Sequence, residues 1–392
     1  MKAVHFGPGN IGRGFIGLLL SKSGYEVCFV ARNEKQIAQL RRRKQYPVEL
    51  ANNKSDTSII RNVTAIHIND RKDVNEAIAA ADLITTAVGV SALKHIAPSI
   101  AKGIVNRFRT NDRPLNIMAC ENAIGASTQL KKWVYKELPA KWLVKADRLL
   151  AFPNTAVDRI VPAQNHEDPL KVEVEPFYEW VIHRPALKEG HQEIKGALYV
   201  DSLEPYIERK LFTVNTGHCC AAYFGYLAGL WTIQEAMADP RLKHKVRKVM
   251  EETGSVLVRR HGFDESKHRK YIDKTIERFA NPHLLDQIVR VGRSPIRKLS
   301  RNDRLVRPAL LAHDYGIETP YLVSAIGAAL CFNAEKDSEA AKLQQELREQ
   351  GISQVIEQYL EIEEKHPLHR LIVTAYNEIK AAGQAEAGAE KS

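Results

Sequence analysis

Lys2-Ala3-Val4-His5-Phe6-Gly7-Pro8-Gly9-Asn10-Ile11-Gly12-Arg13-Gly14-Phe15 is the stretch on which the reading of this chain turns. An apolar run ends in glycines at 7, 9 and 12, and the helical pattern Ile16, Leu18, Leu19, Leu20 follows. Beyond Gly24 comes a second apolar run, 27–31. Strand, glycine turn, helix and strand within about thirty residues form the βαβ unit that binds dinucleotides. The first glycine permits the tight turn, the second lets backbone approach a pyrophosphate, and the third lets helix pack closely on strand. Free N–H groups and the dipole at the helix start would hold the anion. Gly7, Gly9, Asn10, Ile11 and Gly12 are therefore the first candidate cofactor contacts.

Further strand-like runs at 65–68, 83–88, 116–120 and 149–152 alternate with helical stretches such as 74–81 and 128–137. Such alternation predicts an α/β domain, a Rossmann-type doubly wound parallel sheet with helices on both faces. The stretch 172–182 alternates apolar and charged residues and reads as one or two solvent-facing strands added to that sheet. A polar, glycine-containing segment at 185–196 suggests a boundary. From about 201 to 380 the pattern is helical, broken near Asp239-Pro240, His261-Gly262, Asn281-Pro282, Ser294-Pro295 and Gly316. The expected organisation is a dinucleotide-binding domain over 1–195, a mainly α-helical substrate and catalytic domain over 196–380, and a disordered Ala/Gly/Glu-rich tail over 381–392.

The 392 residues are 44% hydrophobic and 27% charged, the balance of a globular protein able to bury a core without staples. No apolar run is long enough to span a bilayer, and the glycine-rich start reads as structure, not as a signal peptide. Five cysteines show neither zinc spacing nor a disulfide framework, which fits a reducing cytoplasm. The net charge of +10 is patchy, and its basic excess peaks over 241–310. Without a nucleic-acid-binding motif, that charge is better used on an anionic small molecule than on nucleic acid or a membrane.

The end of the second strand reads Phe29-Val30-Ala31-Arg32-Asn33. An NAD site normally places a carboxylate there to bond the ribose hydroxyls. Arg32 cannot accept those bonds but can meet a 2′-phosphate, so the local chemistry favours NADP.

The second half contains Glu208-Arg209-Lys210-Leu211-Phe212-Thr213-Val214-Asn215-Thr216-Gly217-His218. On an ideal α-helix Lys210, Asn215 and His218 would sit at about 0°, 140° and 80°, on one pocket wall. A lysine amine can act as a general base, an amide N–H can hold a developing alkoxide, and a histidine can orient a hydroxyl. Tyr206 and Lys210 also match the Tyr/Lys pair of short-chain dehydrogenases, but chain length and glycine spacing argue against that family. The ligand set of zinc alcohol dehydrogenases is absent.

With these residues in view, the chain resembles the polyol-specific long-chain dehydrogenase/reductase family. The resemblance is carried by Gly9-Asn10-Ile11-Gly12-Arg13-Gly14-Phe15, Thr85-Thr86-Ala87-Val88-Gly89, Ala119-Cys120-Glu121-Asn122, Ala156-Val157-Asp158-Arg159-Ile160-Val161-Pro162, the 208–218 segment, and Arg293-x-Pro295-x-Arg297-Lys298-Leu299-Ser300. It implies an oxidoreductase interconverting D-mannitol 1-phosphate and D-fructose 6-phosphate with a nicotinamide cofactor. It also implies that Lys210 is the general acid/base, that Asn215 and Asn122 flank the substrate oxygen, and that His218 contacts the polyol. Thr86 and Val88 join the cofactor set with Arg32, and Asp158 and Arg159 shape the substrate site. The family is metal-independent and mostly monomeric. It favours NAD, although Ala31-Arg32 stands where its members carry an acidic residue, which leaves NADP open. The basic run Arg290, Arg293, Arg297, Lys298, Arg301, Arg304, Arg307 suits a sugar phosphate, and Arg297 and Lys298 are the expected phosphate contacts. The rival readings are a related dehydrogenase of an unphosphorylated polyol or hexuronate, and a non-catalytic dinucleotide-binding regulator or nucleic-acid binder.

Overall fold

Apolar runs that bury both faces of a strand make a parallel sheet sandwiched by helices, and six such runs do so here. In the computed structural model, which describes residues 1–54, 56–162 and 164–389, the chain forms two units, Met1–Tyr206 and Ile207–Ser392.

The strands of the first unit are β1 (Lys2–Phe6), β2 (Glu26–Ala31), β3 (Gln45–Leu50), β4 (Thr57–Arg61), β5 (Val63–His67), β6 (Leu83–Thr86), β7 (Leu115–Ala119), β8 (Leu150–Ala151), β9 (Thr155–Asp158), β10 (Val172–Val174), β11 (Glu179–His183) and β12 (Ala197–Val200). The main sheet runs β5-β2-β1-β6-β7-β8, parallel throughout. Its chain order reverses at β1, so the crevice beyond the carboxyl ends of β1, β2 and β6 is where a ligand is expected. The period of two is explicit in β2: Val27, Phe29 and Ala31 enter one buried cluster and Val30 the other. Helices Arg71–Ala80, Leu93–Thr110 and Ala126–Glu137 cover the second face.

The stretch 172–182 departs from expectation. It forms two strands, β10 and β11, but neither joins the main sheet, and their apolar residues face inward. β10 pairs in parallel with β3, which pairs antiparallel with β4. β11 lies between antiparallel β9 and parallel β12. Val172, Val174, Trp180 and Ile182 pack with Phe15, Ile16 and Tyr46 over the glycine-turn helix. The cause is the β3–β4 hairpin, which sequence reading left unassigned and which offers β10 a free edge. β12 pairs with β11 and packs with the first compact unit, which runs to Tyr206.

The second unit is helical, with breaks at each predicted position and further ones at 228–232, 300–305, 331–337 and 361–366. Asp239 caps Pro240–His261 by accepting from the backbone N–H groups of Arg241 and Leu242. Gly262, at φ +66°, ends that helix in the left-handed conformation. Ser294, at φ +58°, turns the chain into Pro295–Leu299. The last helix, Pro367–Ala389, runs into the tail expected to lack order, consistent with the helix propensity of its alanines; residues 390–392 lie outside the described residues. Segments Gly12–Gly17, Lys210–Asn215 and Ile356–Leu360 are π-helical. Among the described residues, no helix is long and apolar enough to cross a membrane.

Candidate active site

The glycine turn is built as its spacing predicts. Gly7 has φ +96°, a conformation that side chains resist. A Cβ on Gly12 would stand 2.0 Å from the Gly7 carbonyl oxygen and 2.7 Å from His5 Nε2, so only glycine fits there. A Cβ on Gly9 would meet nothing within 4 Å. Gly9 lines a cavity of about 420 Å³ together with Gly7, Arg32, Asn33, Gln36 and Val88. This cradle, open at Gly9 and closed behind Gly12, fits a dinucleotide. Beneath it, His5 Nδ1 is 2.7 Å from Thr85 Oγ1. Burial pushes the His5 pKa down to about 3, so the ring is neutral.

Arg32 is exposed at the cavity wall. Asn33 is committed elsewhere: its side chain accepts from Gln36 N–H at 3.0 Å and caps helix Glu34–Arg43. Gln36 in turn donates to the Pro8 carbonyl at 3.1 Å, tying that helix to the glycine turn. Val88 lines the cavity, but Thr86 turns inward and donates to Glu121 Oε1 at 2.7 Å. Glu121 also accepts from the N–H groups of Val88 (3.0 Å) and Gly89 (2.8 Å). This buried carboxylate shapes the 86–89 loop, and sequence reading missed its role although it stands in the quoted Glu121-Asn122 pair.

Asn122 is exposed just past β7, and Asp158 is buried at the end of β9. Arg159, expected at the substrate, has a different task. Its guanidinium donates to the carbonyls of Glu175 (3.0 and 2.7 Å) and Gly14 (2.9 Å) and lies over Phe15 and Tyr178. A fork of five donors buried among carbonyls is a structural clamp on the glycine-turn helix.

In the second unit, Lys210–Asn215 is π-helical and helix Thr216–Leu227 continues from it. This corrects the angles expected for a regular helix. Hydrogen bonding from i to i+5 widens the turn, so Lys210 and Asn215 fall nearly one above the other. Both are half-buried. The segment is anchored on each side. Glu208 pairs with Arg260 at 2.7 Å and His261 at 2.6 Å, and Thr216 Oγ1 donates to the Arg304 carbonyl at 2.7 Å.

His218 stacks on Phe279 at 4.9 Å between ring centroids, with Nε2 3.4 Å from Asp286 Oδ2. Burial, then the cations Arg290, Arg278, Lys298 and Arg304, drive its pKa down to about 3. Lys298 is interior: its ammonium donates to the carbonyls of Val291 (2.6 Å) and Arg293, and burial lowers its pKa to about 8. The expected phosphate contact thus serves first as a brace for the 291–293 turn. Arg297 is exposed, and Arg304 pairs with Asp303 at 2.7 Å. Among the described residues, no group of three or more His, Cys, Asp or Glu side chains is arranged to hold a metal ion.

Two family models match the chain: the mannitol dehydrogenase Rossmann domain over residues 1–196 and the mannitol dehydrogenase C-terminal domain over 202–382. A mannitol-1-phosphate 5-dehydrogenase of Brevibacillus brevis is 49% identical over 372 residues, 95% of this chain and 96% of that one. The enzyme of the same name from Geobacillus stearothermophilus is 47% identical over 382 residues, covering 97% and 100%. Among solved structures, Pseudomonas fluorescens mannitol 2-dehydrogenase, in a ternary complex with NAD and D-mannitol, aligns with a TM-score of 0.75 at 18% identity. That alignment covers 98% of this chain and 92% of the other, and it speaks for the fold.

Proposed function

The chain belongs to the mannitol dehydrogenase family, and from that premise we propose that it interconverts D-mannitol 1-phosphate and D-fructose 6-phosphate. The observation that supports the phosphorylated substrate is the cationic 290–304 segment: Arg290 and Arg304 are paired with Asp286 and Asp303, but Arg293 and Arg297 stand exposed beside them. A neutral polyol has no use for such a field, whereas a phosphate dianion is drawn to it. Arg297, with Lys298 behind it, is the proposed phosphate contact. The close relatives of Brevibacillus brevis and Geobacillus stearothermophilus carry the name of this activity.

A bound nicotinamide cofactor would supply the hydride acceptor for C5 of the alditol, the carbon that becomes C2 of the ketose. Its phosphates would lie against Gly9, Asn10, Ile11 and Gly12, and the 86–89 loop held by Glu121 forms another part of the cradle. Lys210 Nζ, as the neutral amine, takes the proton of the C5 hydroxyl. In the reverse direction, protonated Lys210 returns it to the carbonyl oxygen. Asn215 sits a π-turn away from Lys210, where its amide N–H can hold the developing alkoxide. His218 would bind a neighbouring hydroxyl of the polyol, and Asn122 and Asp158 are the first unit's own proposed substrate residues. No metal takes part in this scheme. We assign NAD as the working cofactor, with weak rejection of NADP because Arg32 replaces a carboxylate. The working form is a cytosolic monomer.

The test is reduction of fructose 6-phosphate followed by the near-ultraviolet absorbance of the reduced nicotinamide, with fructose in parallel. Rapid turnover of the phosphate ester and little of the free sugar is expected. Equal rates on both would refute the phosphorylated substrate.

A further inference from the structure

His218 is held from two sides, and the hold has a chemical direction. One ring face stacks on Phe279. Nε2 lies 3.4 Å from Oδ2 of Asp286, a carboxylate only 4% exposed. Arg290 aligns its Nε on Asp286 Oδ1 at 2.7 Å. The Arg290 NH2 also comes within 2.6 Å of Oδ2, but Oδ2, the oxygen facing His218, has no well-directed hydrogen-bond donor. An ionised carboxylate only accepts. At 3.4 Å a lone pair on Nε2 would face the negative charge of that oxygen, so the tautomer that carries its proton on Nε2 is favoured.

The backbone that carries this carboxylate is held by the amide of Gln234. Gln234 Oε1 accepts from the Asp286 backbone N–H at 3.1 Å, and Gln234 Nε2 donates to the Leu284 carbonyl at 2.6 Å and, more weakly, to the Phe279 carbonyl at 3.4 Å. The Asp286 carbonyl accepts from Ile233 N–H at 2.9 Å, next to the isolated bridge Thr232–Gln287. One side chain that is both donor and acceptor thus ties down the two neighbours of His218, the ring beneath it and the carboxylate beside it. A glutamate of the same shape could not donate.

We infer that Asp286 and Gln234 are positioning residues that fix His218 as the Nε2–H tautomer, leaving Nδ1 as the hydrogen-bond acceptor presented to a substrate hydroxyl. The inference rests on the reading of His218 as a polyol contact. It adds the polarity of that contact: His218 accepts from the substrate and does not donate to it. The logic is that of a metal-bound or catalytic histidine whose second nitrogen is pinned by a carboxylate.

The experiment is a two-bond proton–nitrogen spectrum of the enzyme labelled in its histidine rings, with His218 assigned by its loss in His218→Gln. The wild-type spectrum should show His218 as the Nε2–H form, and Asp286→Asn should weaken or invert that preference. Steady-state rates with fructose 6-phosphate should fall about 10–100-fold in kcat for Asp286→Asn, with KM for the dinucleotide unchanged. Gln234→Glu should produce the same split more mildly. An Nδ1–H tautomer in the wild type would overturn the inference, as would wild-type kcat in Asp286→Asn. If Asp286→Asn does not fold, the wild-type spectrum and Gln234→Glu still decide. The spectrum is taken without substrate, so an enzyme inert towards fructose 6-phosphate would sink the functional reading while the tautomer is judged separately.

Discussion

Gly9 and Gly12 belong to one motif, yet alanine should do opposite things at the two positions. At Gly12 the new Cβ would lie 2.0 Å from the Gly7 carbonyl oxygen, a backbone atom, and 2.7 Å from buried His5 Nε2. Bringing the first contact to about 3 Å requires a shift of about 1 Å in a turn already fixed at φ +96° by Gly7. Overpacking of this kind typically costs ~1–3 kcal/mol. For a unit of this size, that lowers Tm by roughly 2–12 °C. At Gly9 nothing lies within 4 Å, so alanine should leave Tm within about 1 °C, given ordinary surface effects of about ±0.5 kcal/mol. Its methyl group would instead occupy the cavity where backbone meets the pyrophosphate. Losing one charge-assisted hydrogen bond, ~1.5–3 kcal/mol, weakens dinucleotide binding roughly 10–150-fold. Thermal unfolding and fluorescence titration with NADH separate the two effects. Gly12→Ala with wild-type Tm, or Gly9→Ala with wild-type affinity, would refute the division of labour derived from the turn.

Lys210→Ala should lower kcat by ~10²–10⁴-fold while NADH titration stays unchanged; retention of a third of the wild-type rate would remove Lys210 as the proton-transfer group. Arg32→Asp should shift the ratio of kcat/KM values sharply towards NADH over NADPH, and a wild type that already rejects NADPH strongly would contradict the role given to Arg32. Buried His5, at about 3 in the fold against 6.5 unfolded, binds its proton in the unfolded chain first. Its stabilising contribution is therefore complete above pH 6.5 and is lost as pH falls towards 3, by roughly 1.4 kcal/mol per pH unit. Urea unfolding of His5→Gln should show a shallower acid slope than the wild type, and identical slopes would mean that His5 titrates normally.

The parts of the molecule legible in the sequence are those where one residue type is forced. Gly7 and Gly12 tolerate no side chain, and the core strands β1, β2, β6 and β7 are mostly apolar and buried on both faces. The helix breaks carry proline or a capping carboxylate. What stayed hidden depends on partners far away in the chain. β3 does alternate polar with apolar residues, but Pro47 in its middle argues against a ladder strand, and that local signal masks the period of two. The π-turn at Lys210–Asn215 has no propensity signature, and its effect on the spacing of Lys210 and Asn215 appears only in three dimensions. Charge alone did not separate Lys298, spent on two carbonyls, from exposed Arg297, nor Arg159 from a substrate contact. Glu121 and Asp286 went unread because a carboxylate gains its meaning from the N–H groups or the ring that fold against it.

The cover over the glycine-turn helix also sets a timetable for synthesis. Gly14 packs against Val172 and Val174, Tyr46 and Pro169 bond the backbone and side chain of Arg13, and Ile194 completes the same cluster. A nascent chain that has already made β1 and β2 must therefore wait for about 160 further residues before that surface is sealed, about 8–33 s at ~5–20 residues per second. Throughout that interval Phe15, Ile16 and Phe29 remain a sticky apolar face on the ribosome-bound chain, and the long sequence separation of the contacts that close it slows folding. A fragment ending before β10 would carry the complete glycine motif and still be the form most prone to aggregate or to recruit a chaperone.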